Sequence, residues 1–413
     1  MIYIYSPIKS ARLIYVLDFF FTSKGMNYHI IDSKNNFLKN DGLKINYSKD
    51  RLDNVFQINP EGLLFENHIK SLSDLKFTQG KWTINTSKDI FSIVFYMLTS
   101  YEEYLIKDKD QHQRFSSKHS FLFKNKRLCK PNADIIIQQL WQDLGLDYSK
   151  IKSNFNTHIT FDIDSAWAIK NKGFFRSIAS DLKDLLNLKC INNKFKVRLG
   201  SKKDPFDTYD TIKKIAKTNS VTCFFLLGDW AKYDKNINWK HPKLKRLIID
   251  LNKICSIGIH PSYSSFLIKN KVTKELNRLN KNSQEINTKS RQHFLRLNVP
   301  NSYELLESIG ITDDYSMGFS DNYGFRSGTS FSYPFFNLKT NSVTKVIIHP
   351  ITYMDGTLNQ YLNLSIKESI IVIEKLKEEV RNVGGTFCPL WHNETIGEIG
   401  IWKGWTKVFE SNF

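Results

Sequence analysis

The chain has 413 residues, of which 41% are hydrophobic and 24% are charged, and this ordinary globular composition excludes a disordered or low-complexity chain. Its 59 Lys and Arg residues against 41 Asp and Glu residues give a net charge of +18. The basic residues form no run of five or more, so we expect a solvated basic surface and no specific nucleic-acid partner. No uncharged apolar run is long enough to span a bilayer, and no signal-peptide pattern opens the chain. We therefore expect a cytoplasmic protein without a transmembrane segment.

The cysteines are odd in number, widely spaced and without a CxxC pair: Cys129, Cys190, Cys223, Cys255 and Cys388. This usage is typical of reduced thiols in a cytosolic protein.

Residues 1–150 are predicted to form a small α/β domain of unknown role. A strand-like MIYIYS is followed by a helical stretch that ends at Gly25, and NYHIID indicates a second strand. Two further helices are predicted, one beginning after Lys88 with Asp89 in its first turn, the other following Pro131. This region offers no recognisable metal or nucleophile constellation.

Residues 151–413 alternate strand-like runs with helices, which favours a parallel sheet. Seven strand-like runs are recognised, at 158–164, 221–229, 256–260, 291–297, near Ile311, 343–349 and 386–392. The predicted fold class is α/β, a deformed (β/α)7-type barrel behind the smaller N-terminal domain. Other open α/β sheets remain possible.

Several of these strands end in Asp or His, at the edge of the sheet where parallel α/β folds carry their sites. Asp162 and Asp164 are two residues apart and share one face of their strand. One carboxylate could bind a cation while the other serves as a base. The alternative is a pair that caps the following turn.

Three further residues complete the predicted centre. His260, in HPSYS, is a candidate metal ligand, and Ser264 would lie on the same side of the following turn as a weaker one. His392 ends the last strand, which a closing sheet would bring back beside the first, and it is a candidate general acid.

A buried arginine beside an aspartate would keep that aspartate ionised, and Arg291 is our candidate. A strand over 291–297 would place Arg291 and His293 on one face and Arg296 on the other. Candidate substrate contacts are the polar Asp229, Arg326 and His349, and the aromatic Tyr263 and Trp391, although core packing is the commoner role for an aromatic residue.

Three motifs, in this order, resemble those of the polysaccharide deacetylase family: TFDID at 160–164, HPSYS at 260–264 and LWH at 390–392. That family consists of metal-dependent carbohydrate esterases with a deformed (β/α) barrel, and the longer pattern resembles a bacterial subgroup with an extra N-terminal α/β domain. The resemblance implies that Asp162 is the base and Asp164 a metal ligand. Ser264 stands where the family has a second histidine, which His349 is one candidate to replace. The family's arginine motif is matched only loosely, at 291–296.

The resemblance thus implies a metal-dependent hydrolase that removes N-acetyl groups from a sugar in a glycan or a glycan precursor. Asp164, His260 and Ser264 would hold a divalent metal, zinc with cobalt or nickel as alternatives, and His392 would protonate the leaving amine. Two other functions remain open. One is a non-catalytic carbohydrate-binding protein that keeps the barrel, and the other is a binder of nucleic acid or another anionic polymer.

Overall fold

The computed structural model describes residues 1–71, 73–152, 154–172 and 188–413, which form a mixed α/β fold. The strands, in chain order, are β1 (Ile2–Tyr5), β2 (Tyr28–Ile31), β3 (Leu43–Asn46), β4 (Phe56–Gln57), β5 (Leu75–Thr78), β6 (Lys81–Ile84), β7 (Asn156–Ile163), β8 (Ser220–Phe225), β9 (Ser256–Ile259), β10 (Lys289–Ser290), β11 (Asp313–Asp314), β12 (Tyr333–Asn337), β13 (Ser342–Ile348), β14 (Tyr353–Met354), β15 (Thr386–Phe387) and β16 (Pro389–His392). The described α-helices span Ala11–Phe20, Lys34–Leu38, Ile90–Leu98, Phe121–Lys124, Asn132–Asp143, Ser149–Lys152, Leu188–Arg198, Tyr209–Ile215, Pro242–Asn252, Lys269–Ser283, Asn301–Ser308, Ile366–Val383 and Thr406–Glu410.

The N-terminal region contains a parallel four-stranded sheet in the order β2-β1-β3-β4 and an antiparallel hairpin of β5 and β6. The two strands and the helices predicted there are confirmed, whereas β3, β4 and the hairpin were not anticipated. Asp89 is the N-cap of its helix rather than a residue of the first turn, and its side chain accepts a hydrogen bond from the Ser92 backbone N–H.

The larger sheet has the order β12-β13-β11-β10-β9-β8-β7-β16-β14, with β15 also paired to β7. Its pairs are parallel except for the β12–β13 hairpin. The last strand lies beside the first, as predicted, with His392 opposite Asp162. Within the described residues the edge strands β12 and β14 do not pair with each other, so the sheet is open and a closed barrel is not confirmed.

Strand β7 shows why the sequence positions a site here. Its apolar residues Ile159 and Phe161 pack into the hydrophobic core, while Thr160 and Asp162 alternate with them on the other face. Asp162 and Asp164 therefore arrive together at the carboxyl end of the strand.

The strand predicted over 291–297 is wrong. β10 ends at Ser290, and the chain then turns, because Phe294 and Leu295 have φ values of 61° and 51°. A left-handed backbone cannot continue a strand. The assignment of Arg291, His293 and Arg296 to strand faces therefore does not apply.

The helix Ile366–Val383 follows the sequence signals at both ends. Ser365 and Glu368 form the predicted capping box, and Gly384 ends the helix with a φ of 72°. A Cβ at Gly384 would lie 2.1 Å from the Ile151 carbonyl oxygen, so a larger residue would need the backbone to move.

The N-terminal region packs tightly on the larger sheet. Tyr15 donates a hydrogen bond to the Pro334 carbonyl oxygen, and the buried Asp134 accepts hydrogen bonds from Thr329 and Ser330. Buried apolar residues from both parts of the chain form one continuous cluster. The domain division at residue 150 stays a prediction.

Arg326, predicted to contact substrate, lies inside this interface. Its guanidinium makes two hydrogen bonds to Glu103, at 2.8 and 2.6 Å, and both side chains are only 2% exposed. Its remaining terminal nitrogen donates to the Gly318 carbonyl oxygen. A buried guanidinium whose three nitrogens all donate within the protein is not presented to a substrate, so the prediction is wrong.

Glu103→Gln should lower the free energy of unfolding by about 3 kcal/mol, because it leaves the buried Arg326 charge without its counter-ion. Urea unfolding followed by circular dichroism measures this. Asp210→Asn is the control, since the Asp210–Lys203 pair is largely exposed and should contribute little. Equal losses in the two variants would contradict the role assigned to the Glu103–Arg326 pair.

Cys129, Cys223, Cys255 and Cys388 are free thiols, and the side chain of Cys190 lies outside the described residues. None of the helices described here is both long and apolar enough to cross a membrane.

Candidate metal and catalytic site

Three side chains converge at the carboxyl ends of neighbouring strands. Asp164 follows β7, His260 follows β9, and His293 lies in the turn after β10. One ligand atom from each lies within 4.8 Å of the others. The Asp164 carboxylate is 3.1 Å from His260 Nε2 and 3.3 Å from His293 Nε2.

The hydrogen bonds of His260 indicate that this group fits a cation. His260 Nδ1 lies 2.6 Å from the Arg291 carbonyl oxygen, to which it donates, so in the neutral imidazole the lone pair is on Nε2. Both Nε2 and the facing Asp164 Oδ1 are buried without a hydrogen-bond partner. Two lone pairs 3.1 Å apart repel each other unless a positive charge lies with them. One carboxylate and two imidazoles are a ligand set that divalent zinc prefers.

His293 is oriented by the buried carboxylate of Asp234. Its Nδ1 donates to Asp234 Oδ1 at 3.1 Å, which turns Nε2 towards Asp164. Such carboxylate–histidine pairs are usual behind metal ligands. Burial lowers the pKa of His293, but Asp164 and then Asp234 raise it more, to about 9. Burial raises the pKa of Asp164, yet the neighbouring histidines hold it well below its usual value.

Ser264, the expected second ligand, makes its hydrogen bonds to residues outside this group. Its hydroxyl lies 3.2 Å from the Ser262 hydroxyl, and its backbone N–H donates to Asp234. The third converging side chain is His293, which sequence reasoning had placed only on a strand face. If the predicted strand had ended at Ser290, as β10 does, His293 would have been recognised as a polar residue just past a strand end.

Asp162 is paired with Arg291, as expected. Arg291 Nη1 lies 3.1 Å from Asp162 Oδ1, and its other nitrogens donate to Thr160 Oγ1 and the Tyr315 carbonyl oxygen. Both partners are buried. Asp162 Oδ2 is 3.6 Å from His260 Nε2, so this second oxygen borders the three-residue group. Arg291 thus holds the Asp162 side chain through Oδ1 and leaves Oδ2 directed towards the three-residue group.

His392 borders the group from the other side of β7. Its Nε2 is 4.0 Å from Asp164 Oδ2, and its Nδ1 donates to the buried Asp355 at 2.7 Å. Burial lowers the pKa of His392, but Asp355 raises it more, leaving it well above 6.5. The imidazolium form, a proton donor, is therefore favoured. Sequence reasoning missed both Asp234, which lies in a loop, and Asp355, which follows the two-residue strand β14.

Tyr263 lies next to the group, where its hydroxyl contacts His112 Nδ1 at 3.1 Å. Asp229 does not join the group, and its carboxylate is paired with Arg278 and Lys274. Trp391 is fully buried against Phe409 and Tyr353, so the expectation that it stacks on a substrate is wrong.

His349 stacks on Tyr315 and donates a hydrogen bond from Nε2 to Asp313 Oδ1, 2.8 Å away. It lines a cavity of about 600 Å³ together with residues that begin β7, β8 and β15. Those strand starts lie at the opposite end of β7 from Asp164, although His349 itself follows β13. His349 is not among the side chains that converge with Asp164.

Comparisons with known proteins add one family and three distant folds. Residues 2–149 match a family of unknown function, DUF7033. No curated protein matches the chain. A protein from Mycobacterium smegmatis assigned as a polysaccharide deacetylase aligns at 12% identity and a TM-score of 0.40, over 63% of this chain and 84% of its own.

Two further structures are similarly distant. The PuuE allantoinase aligns at 12% identity and a TM-score of 0.39, with the same coverage of 63% and 84%. A Bordetella bronchiseptica protein assigned as a polysaccharide deacetylase of O-antigen biosynthesis aligns at 13% identity and a TM-score of 0.31, over 59% of this chain and 79% of its own. At such low TM-scores the likeness supports no argument about this chain by itself.

Proposed function

We propose that this protein is a metal-dependent hydrolase that removes N-acetyl groups from a sugar. The observation that carries the proposal is the convergence of Asp164, His260 and His293, in which the unpartnered Asp164 Oδ1 and His260 Nε2 face each other. A buried carboxylate, Asp162, borders this group on one side and a protonated imidazole, His392, on the other. Base, ligand set and acid are the parts that hydrolysis of an amide requires.

The ligands would be Asp164, His260 and His293, with zinc as the metal and cobalt or nickel as substitutes. A divalent cation bound there would polarise the amide carbonyl and make a water molecule more acidic. Asp162 accepts the proton of the attacking water, while Arg291 fixes its carboxylate through Oδ1. His392 donates the proton at Nε2 to the departing nitrogen, and Asp355 keeps that nitrogen atom aimed at the site.

The sugar in this proposal rests on the motif resemblance, since TFDID, HPSYS and LWH supply Asp162, Asp164, His260 and His392. The substrate class is an N-acetylated sugar in a glycan or a glycan precursor. The alternative, a non-catalytic carbohydrate-binding protein, requires a weak metal site, for which Ser264 in the place of a histidine is the reason. His293 removes that reason, because it offers a stronger ligand than a hydroxyl.

Acetate release from a panel of N-acetylated mono- and oligosaccharides tests the proposal. The purified protein is assayed after treatment with a chelator and again after addition of zinc, cobalt or nickel. We expect acetate only with added metal. Full metal binding without acetate from any member of the panel would favour the carbohydrate-binding alternative instead.

A further inference from the structure

Arg114, in the N-terminal region, contacts the turn that carries the proposed metal ligand His293. Arg114 is 4% exposed, and its Nη1 donates to the Phe294 carbonyl oxygen at 3.0 Å and to the Tyr361 hydroxyl at 3.1 Å. Its Nε is held by Asp110 at 2.7 Å. Phe294 immediately follows His293, so Arg114 binds the backbone next to a proposed metal ligand.

That stretch of backbone needs outside support. Phe294 has a φ of 61° and is not glycine, a conformation that persists only where surrounding contacts hold it. Its ring packs against His112 and Tyr263, with centroid distances of 5.2 Å in both cases. Two of its contacts, Arg114 and His112, come from the N-terminal region.

Arg296 makes a second set of hydrogen bonds between the N-terminal region and the turns at the site. Arg296 donates from Nε to the His112 carbonyl oxygen at 2.9 Å and from Nη1 to the Tyr263 carbonyl oxygen at 2.6 Å. The N-terminal segment 110–114, the His293 turn and the turn after His260 are therefore bonded into one unit. Asp234 binds two of these turns as well, through His293 and the Tyr263 N–H.

We propose that Arg114 is a positioning residue for His293, so that the N-terminal region completes the metal site of the larger sheet. This inference rests on the proposed metal-dependent function. By holding the Phe294 carbonyl, Arg114 fixes the left-handed turn that directs His293 Nε2 towards Asp164. Without it the turn relaxes and the third ligand is no longer preorganised.

Zinc affinity of Arg114→Ala, measured in the full chain by competition with a chromophoric chelator, tests the inference. We expect binding about 10- to 100-fold weaker than in the wild type. The control is Asp321→Asn, which weakens another contact between the two regions, at Ser116 and Ser117, without touching residue 294. Arg114→Lys keeps the charge, but its single amine cannot bond Asp110 and the Phe294 carbonyl oxygen together. Its zinc affinity should lie between those of Arg114→Ala and Asp321→Asn.

The visible absorption of the cobalt-substituted protein gives a second readout, because it reports the ligand geometry rather than stability. Arg114→Ala should alter this spectrum, and Asp321→Asn should not. If Arg114→Ala does not fold, Arg114→Lys alone decides. If the zinc affinity of the Arg114 variant were within twofold of that of Asp321→Asn and its cobalt spectrum were unchanged, the inference would be overturned while the proposed function would stand. A wild-type chain that binds no metal would overturn both.

Discussion

Asp162→Asn is expected to lower the rate of acetate release by about 10²- to 10⁴-fold while the chain still binds zinc. Asparagine has the same size and still offers Arg291 an oxygen, but it cannot accept the proton of the attacking water. Asp162 lies outside the group of Asp164, His260 and His293, so the ligand set is untouched.

Steady-state kinetics on the best substrate of the panel, together with metal content, checks this expectation. Asp229→Asn is a matched control, because Asp229 also follows a strand but is paired with Arg278 at the surface. It should keep the wild-type rate. If Asp162→Asn kept that rate too, Asp162 would not be the base.

His392→Ala should lower the rate on an N-acetylated sugar by about 10²- to 10⁴-fold, because the departing amine then lacks a proton donor. On an aryl acetate the loss should be much smaller, since a phenolate leaves without being protonated. Asp162→Asn should impair both substrates, because each needs an activated water molecule.

The comparison of the two substrates separates a general acid from a residue that merely supports the site. His349→Ala is the control, since His349 is a strand-end histidine that lines a cavity away from Asp164. Equal losses on both substrates for His392→Ala would show that His392 acts in some other way.

The sequence predicted the central strands and the residues at their ends for a simple reason. β7, β9 and β16 carry apolar runs, and the polar residues at or just past their carboxyl ends are visible by position alone: Asp162, Asp164, His260 and His392. The rule that parallel strands place their carboxyl ends at one edge then brings these residues together. No contact between distant segments had to be known.

The residues that were missed depend on contacts between distant segments. His293 was hidden because RQHFLRL has the composition of a strand, while the turn at Phe294 is held by Arg114, 180 residues earlier. The partner of Arg326 is Glu103, 223 residues away. A local pattern cannot tell such a buried ion pair from an exposed arginine, nor a core tryptophan such as Trp391 from a stacking one.

The zinc content of the purified wild type, His293→Ala and Ser264→Ala, measured by elemental analysis after zinc loading and dialysis, is the most direct test of this account. We predict about one ion per chain in the wild type and in Ser264→Ala, and little or none in His293→Ala, because the site then keeps only Asp164 and His260. No zinc in the wild type, or zinc that is lost in Ser264→Ala and kept in His293→Ala, would contradict it.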